Sequence, residues 1–363
     1  MTQISEPALL LDKTICLANI KRMAEKAKAH NLIFRPQVKT HQSAAIANYF
    51  RDYGVDKITV SSFKQAVYFA ENGWKDITVA FPTNILEIEK INYLASHIKL
   101  NLLVESIYVI NFLKDNLEVP VGIFIKIDVG YHRTGIEPTN TRLIRLILKI
   151  IGNSNNLKFK GFLCHAGHSY NVRTIEDIEA VHKESQNIIK NLKDKFSPQY
   201  PNLIASVGDT PTCVKMNNFD FIDEIRPGTF VFNDLAQWKI GACSLNEIAI
   251  AMACPVVALH PLRSEVVIYG GTVHFSKDFL ILPSGGKYYG YVVEFDNAGW
   301  NVNNILGILK SVSQEHGVVK FNSKIPSQIK EGSILTIIPI HSCLTGNLMK
   351  RYISLSNDVI TRI

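Results

Sequence analysis

"VGIFIKIDVG", residues 121–130, is apolar at every position from Val121 to Val129 except Gly122, Lys126 and Asp128, and its first half, Val121–Ile125, carries no polar side chain on either face. A strand with one face in water would alternate, so this run reads as a strand buried on both faces, as the strands of a parallel sheet are. Comparable β-rich runs recur at fairly even spacing on either side of it: IFRPQV (33–38), KITVSS (57–62), ITVAF (77–81), KLNLLVES (99–106), KFKGFLCHAG (158–167), LIASVGD (203–209) and FIDEIRPG (221–228). Between them lie segments with the apolar spacing of helices, such as AAIANYFRDYG (44–54), FKQAVYFAENG (63–73) and IEDIEAVHKESQNIIKNLKDKF (175–196). Eight strands apolar on both faces, each followed by a helix, are what a closed parallel (β/α)8 barrel of the TIM type requires. An open doubly wound sheet is the competing architecture, and the GxGxxG turn of its nucleotide-binding form is missing after the first strand.

After about residue 240 the texture changes to β-type runs such as SEVVIYGGTVHF and SILTIIPIHSCLT, separated by Gly, Pro, Asn and Ser. These predict a smaller all-β domain. The expected division is a barrel over residues 1–240 and a β domain over 241–363, with ALLLD (8–12) joining the second domain or covering the barrel floor.

The chain of 363 residues is 47% hydrophobic, enough for a large core. Its 39 Lys+Arg against 32 Asp+Glu give a formal charge of +7, but the basic residues are scattered and not interleaved with aromatics. That argues against nucleic acid as a partner and for mild attraction of anionic small molecules. The six cysteines lie far apart without a CxxC pair, which suits a reduced, cytoplasmic setting rather than a disulfide framework. The opening MTQISEPALL lacks the basic stretch and apolar run of a signal peptide, and no apolar run approaches the roughly 18 residues of a membrane span. A soluble protein with no membrane partner is expected.

In a barrel of this type the reacting groups sit at the C-terminal ends of the strands. Those ends carry Lys39, Thr40 and His41; Asp128, Tyr131 and Arg133; His165, His168 and Tyr170; Ser206, Asp209 and Thr210; and Glu224, Arg226, Gly228 and Thr229. In "FRPQVKTHQ" (34–42), Lys39 ends the first barrel strand, where an enclosed amine would lose solvation and become a usable nucleophile. A solvated lysine before a helix is the plainer alternative. "GDTPT" (208–212) and "RPGT" (226–229) leave their strands with glycine and hydroxyl groups, a pattern that aims backbone N–H groups at a phosphate without a Walker lysine. An amine combined with a phosphate cradle points to a phosphorylated aldehyde, pyridoxal phosphate.

"RPQVKTHQ", "DVGYHRTGI", "CHAGHSY", "GDTPT", "EIRPGTFVFND", "SQEHG" and "IPIHSC" occur in the order seen in the D-threonine aldolase and eukaryotic-type D-serine dehydratase family. The sequence resembles that family from residue 6 to residue 350. The resemblance implies an alanine-racemase-like barrel with a β domain, a homodimer with active sites near the subunit interface, and pyridoxal phosphate held as a Schiff base on Lys39. It implies Arg133 at the cofactor's phenolic oxygen, His165 beside the ring and Arg226 facing the pyridine nitrogen; Tyr170, at the same strand end as His165, is expected to be a further cofactor contact. Gly208, Asp209, Thr210, Gly228 and Thr229 would then surround the phosphate. An arginine does not readily release its proton, so that nitrogen would stay unprotonated and the ring would be a weaker electron sink.

In "PIHSCLTGNLM" (339–349), His341 and Cys343 would share one face of a strand, and imidazole with thiolate is a ligand set suited to zinc. A buried His and Cys on a core strand would look the same. In the family, the His-x-Cys pair resembles the metal site of the D-serine dehydratases, whereas the D-threonine aldolases show His-x-Asp; zinc or manganese is the implied metal. Glu315 and His316 of "SQEHG" resemble a loop that closes this site. Gln37 and Gln42 depart from the family's usual His and Lys, and "YGGTVHFSKDF" (269–279) also differs. The expected activity is a metal-assisted, pyridoxal-phosphate-dependent lyase on a D-3-hydroxy amino acid, by dehydration of the D-serine or D-threonine type. Retro-aldol cleavage is the alternative. An amino-acid racemase using Tyr288 or Tyr289 as a second base, and a non-catalytic cofactor-binding protein, come after it.

Overall fold

The computed structural model describes residues 4–296 and 299–363; Met1–Gln3, part of the stretch read above as free of a leader, and Asn297–Ala298, within the expected β domain, lie outside the described residues. The chain forms two compact units. A barrel unit comprises Lys21–Lys39 and Ile46–Gly228, and a β unit comprises the residues up to Ile20, Thr40–Ala45 and Thr229–Ile363.

The first strand of the chain, β1 (Ala8–Leu11), belongs to the β unit. The barrel strands are β2 (Ile33–Phe34), β3 (Ile58–Val60), β4 (Asp76–Pro82), β5 (Lys99–Val104), β6 (Val121–Lys126), β7 (Leu157–Leu163), β8 (Ile204–Val207) and β9 (Glu224–Ile225). All pair in parallel in the order β2-β9-β8-β7-β6-β5-β4-β3. The seam between β2 and β3 closes beyond the strand itself: Thr59 N–H donates to Pro36 O and Val38 N–H to Thr59 O, both at 2.9 Å. The strand expected over 33–38 is therefore laddered at Ile33–Phe34 and reaches its other neighbour further along, because Pro36 has no N–H to offer. Every residue of β6 is buried, as its two-faced apolarity demands.

A bulge in β7 lets Phe159 and Gly161 face the consecutive residues Ile123 and Phe124, with Lys160 as the extra residue. Gly161 has φ +145°, and a Cβ there would stand 2.0 Å from the Ile204 carbonyl oxygen on β8. Gly161→Ala is expected to cost about 3 kcal/mol, through backbone strain and overpacking together. A fall in the urea midpoint at unchanged slope measures it.

The β unit is built on β10 (Ile250–His260), β11 (Glu265–Tyr269), the small hairpin β12 (Leu280–Ile281) and β13 (Lys287–Tyr288), then β14 (Gly290–Asp296), β15 (Gly299–Val312), β16 (His316–Phe321) and β17 (Ile334–Pro339). Strands β10, β11, β16, β15, β14 and β17 pair antiparallel in a ring that returns to β10, which leaves none of the six as an edge. Strand β1 extends the sheet antiparallel to β10, followed by β18 (Arg351–Ser354) and β19 (Val359–Thr361). Leu235, Ile248, Tyr288, Val293, Val302, Ile338 and Ile340 form an apolar core in this unit. Among the described residues no helix is long and apolar enough to cross a membrane.

Candidate active site

Lys39 stands in the turn that follows the closing bridge of the barrel, and its N–H is held at 3.2 Å by the Gln37 side chain. The amine is exposed rather than enclosed, because the turn lifts it beyond the last paired residue, Val38. Its positive charge still reaches His165, at the end of β7. Burial first, then the charge of Arg133, pushes the His165 imidazole down to about 3, so the ring is neutral. His165 Nδ1 is hydrogen-bonded to Gly208 O, which can only accept, so Nδ1 carries the proton and Nε2 is left as an acceptor. Tyr131 meets His165 edge-on at 6.0 Å between ring centres, Tyr170 lies 6.2 Å from it, and the Arg133 guanidinium sits 4.8 Å above Tyr131. The turn before Arg133 is stapled by Asp128, whose Oδ1 accepts the N–H groups of Gly130, Tyr131 and His132.

Arg226, one residue past β9, is buried and pinned at both ends of its fork, by Ser206 Oγ through Nη1 and by Cys164 O through Nη2 at 2.7 Å. Lys126 lies within the same electrostatic neighbourhood; burial first, with the charges of Arg226 and Arg133 also acting, lowers its amine to about 8.

The two glycine–hydroxyl loops meet within the barrel unit. Gly228 N–H donates to Thr210 Oγ1 at 3.3 Å, and Thr210 N–H donates to the Tyr170 hydroxyl at 2.9 Å. A Cβ on Gly208 would sit 3.1 Å from Arg226 Cβ and Nη2, so a side chain there would crowd the pinned guanidinium. A bare backbone, convergent hydroxyls, a fixed guanidinium and a neutral imidazole fit a phosphorylated pyridine. Asp209 lies between the two loop residues Gly208 and Thr210. It caps the helix Thr210–Lys215, accepting from Thr212 N–H at 2.8 Å and from the Thr212 and Ser169 hydroxyls at 2.7 and 3.0 Å. Ser62 and Ser106, also at strand ends, are helix caps too.

In the β unit, His341 and Cys343 do not lie on a strand as expected. Strand β17 stops at Pro339, His341 is the N-cap residue of the helix Ser342–Leu348, and Cys343 is in its first turn. The break is imposed by buried Asp234, whose Oδ2 takes both the N–H and the hydroxyl of Ser342 at 2.8 and 3.0 Å. At the other end Arg362 donates to the carbonyls of Gly346, Asn347 and Met349. Cys343 is hydrogen-bonded with Thr40 Oγ1 at 3.2 Å and Thr229 Oγ1 at 3.6 Å, and it is the one cysteine of the six that is not buried; none of the six is in a disulfide. His341 Nδ1 donates to Asp278 Oδ2 at 2.6 Å. Burial would lower the imidazolium, but Asp278 and Cys343 outweigh it and push His341 up to about 11. An imidazole oriented by a carboxylate beside a cysteine sulfur suits a borderline metal ion such as zinc.

Asp278 was not foreseen from the sequence. Among the described residues, the group of three potential ligands that lie within 4.8 Å of one another is Asp128, His132 and Glu137, and Asp128 is occupied there by its turn. His41 is a buried structural group, with Nδ1 accepting Ser43 N–H at 3.1 Å. The "SQEHG" turn docks through its backbone on Gly270, Thr272 and Val273, with His316 exposed. Tyr288 is buried in the apolar core, its hydroxyl on Tyr291 at 3.3 Å.

Residues 12–235 match the family described as alanine racemase, N-terminal domain, and residues 249–355 match a serine dehydratase domain. The chain is 27% identical to the D-serine dehydratase of Dictyostelium discoideum, covering 99% of this chain and 95% of that protein. It is also 27% identical to the D-threo-3-hydroxyaspartate dehydratase of Delftia sp. (strain HT23), covering 98% and 95%. A solved structure of a D-threo-3-hydroxyaspartate dehydratase, a cysteine-to-alanine mutant in the metal-free form, superposes with a TM-score of 0.90 at 25% identity, covering 99% of this chain and 98% of that one. With the family match spanning well over half its length, the chain belongs to the alanine racemase N-terminal domain family.

Proposed function

We propose that the protein is a pyridoxal-phosphate-dependent lyase that removes water from a D-3-hydroxy amino acid of the D-serine or D-threo-3-hydroxyaspartate type, releasing a 2-oxo acid and ammonia. The observation that carries this reading is the His341–Asp278 hydrogen bond beside Cys343, in a chain similar over nearly its full length to dehydratases of D-amino acids. When bound, pyridoxal phosphate supplies an electron sink for the substrate's Cα, and a divalent metal, zinc or manganese, supplies a Lewis acid for its β-hydroxyl.

Lys39 would hold the cofactor covalently, Arg133, His165, Tyr170 and Arg226 would hold its ring, and Gly208, Thr210, Gly228 and Thr229 its phosphate, with Asp209 fixing the start of the adjoining helix. His341 and Cys343 would hold the metal. The Lys39 amine would also be the base that takes the proton from the substrate's Cα. His165 stays neutral with its Nδ1 proton committed to Gly208 O, so it fills space beside the ring without competing for charge. Arg226 keeps its proton and adds no acid at the ring nitrogen, which leaves the leaving group in need of help. Asp278 answers by turning His341 so that Nε2 is the nitrogen available for coordination. The substrate loses its β-hydroxyl as water, and the resulting imine takes up one water to give 2-oxo acid and ammonia. A homodimer in the cytoplasm belongs to the same reading.

Purified protein supplied with pyridoxal phosphate and zinc or manganese is incubated with D-serine, D-threonine and D-threo-3-hydroxyaspartate. Pyruvate, 2-oxobutyrate or oxaloacetate with equimolar ammonia is the expected result. Glycine with an aldehyde would replace dehydration by retro-aldol cleavage, and appearance of the L-enantiomer alone would overturn the lyase reading.

A further inference from the structure

Behind Arg226 the barrel holds a continuous polar chain. Ser206 Oγ, on β8, accepts from Arg226 Nη1 and donates to Glu224 Oε1 at 2.6 Å. Glu224 Oε2, on β9, accepts from Arg35 Nε at 2.7 Å, and Arg35 Nη1 reaches Asp76 Oδ1, on β4, at 2.5 Å. Asn101, on β5, donates to Asp76 at 3.3 Å and to Thr78 at 3.2 Å. Glu224 and Ser206 have no exposed surface, and Arg35 and Arg226 are 5% exposed. Two guanidinium groups are thus matched by two carboxylates, with Glu224 between the guanidiniums.

A buried ion pair contributes little to stability for its desolvation cost, so a barrel core that needed only to fold would be served as well by apolar side chains. The direction of the hydrogen bonds gives the chain a different use. A serine hydroxyl has one proton, and Ser206 gives it to Glu224; its lone pairs therefore face Arg226. With Nη1 held by that hydroxyl and Nη2 by Cys164 O, the plane of the Arg226 guanidinium is set by the protein, while Nε–H and one N–H on each Nη are left to donate elsewhere.

We propose that Ser206 and Glu224 are positioning residues for the cofactor ring: they fix Arg226 so that its guanidinium faces the pyridine nitrogen with its charge already compensated, and so keep that nitrogen unprotonated. The inference rests on the function proposed above for its cofactor and for the place of Arg226.

The test uses pyridoxal phosphate labelled with nitrogen-15 in its ring, bound to the full-length protein. Wild-type protein is expected to give the ring-nitrogen NMR shift of an unprotonated pyridine. Ser206→Ala and Glu224→Gln are each expected to move that signal toward the protonated position and to weaken cofactor binding about 10- to 150-fold, the range for losing one hydrogen bond to a charged group. Ser206→Ala leaves the Glu224–Arg35–Asp76 pairs in place, so it decides the matter even if Glu224→Gln does not fold. A folded Ser206→Ala protein with the wild-type shift overturns the proposal, whatever its melting temperature. Wild-type protein that forms no visible absorbance band with pyridoxal phosphate would instead remove the function on which the proposal stands.

Discussion

Lys39→Ala is expected to abolish the visible absorbance of bound pyridoxal phosphate and to lower kcat/KM for D-3-hydroxy amino acids roughly ten-thousandfold. Two losses combine in that figure. The amine that would hold the cofactor is gone, and so is the base for the Cα proton, a role that alone contributes up to about 10⁴-fold. The fold should be untouched, because Lys39 is exposed in a turn and the barrel seam is closed by the backbones of Pro36, Val38 and Thr59. Circular dichroism and the melting temperature therefore serve as controls. Persistence of the visible band in the variant would take Lys39 out of its assigned role, and a small external amine that restores part of the activity would support it.

His341→Ala and Cys343→Ala are each expected to lower kcat for water elimination by about 10²- to 10³-fold, the scale of losing a positioned electrophile at the departing oxygen. The visible band on Lys39 should survive both changes. Asp278→Asn is a graded version of the same experiment: the imidazole keeps a hydrogen-bond partner but loses the charge, so metal affinity should fall about 10- to 100-fold while saturating metal restores the rate. Because Asp278 and Cys343 hold His341 protonated up to about 11 in the metal-free protein, coordination must displace that proton. Metal affinity is accordingly expected to rise with pH across the neutral range, and calorimetry in buffers of different ionisation heat measures the proton released. Full activity of His341→Ala after chelation would end the metal proposal.

The barrel was legible because burial on both faces is written locally into each strand, as in Val121–Lys126. Strand lengths were less so, since β2 and β9 ladder over two residues each and the rest of their apolar runs serve turns. At the strand ends, residue type alone does not separate a ligand contact from a helix cap: Asp209, Ser62 and Ser106 all have chemistry suited to either use. The His341–Cys343 pair was visible as a spacing, but its setting was not. The helix that carries Cys343 begins where it does because of Asp234, far back in the chain, and the carboxylate that orients His341 comes from Asp278, in an irregular segment with no periodicity to read.

The pairing of Ile33–Phe34 with Glu224–Ile225 has a consequence for synthesis on the ribosome. The strand that leads to Lys39 is made among the first, yet one of its two neighbours emerges only after nearly the whole barrel has left the exit tunnel, and long-range parallel pairing of this kind forms late. A nascent chain halted before residue 224 would carry the lysine loop without the partner strand and without Arg226. For the function proposed above, a cofactor held by Lys39 and Arg226 would be captured only after that partner strand has emerged, and translational pausing upstream of that point should leave the nascent protein unable to hold pyridoxal phosphate.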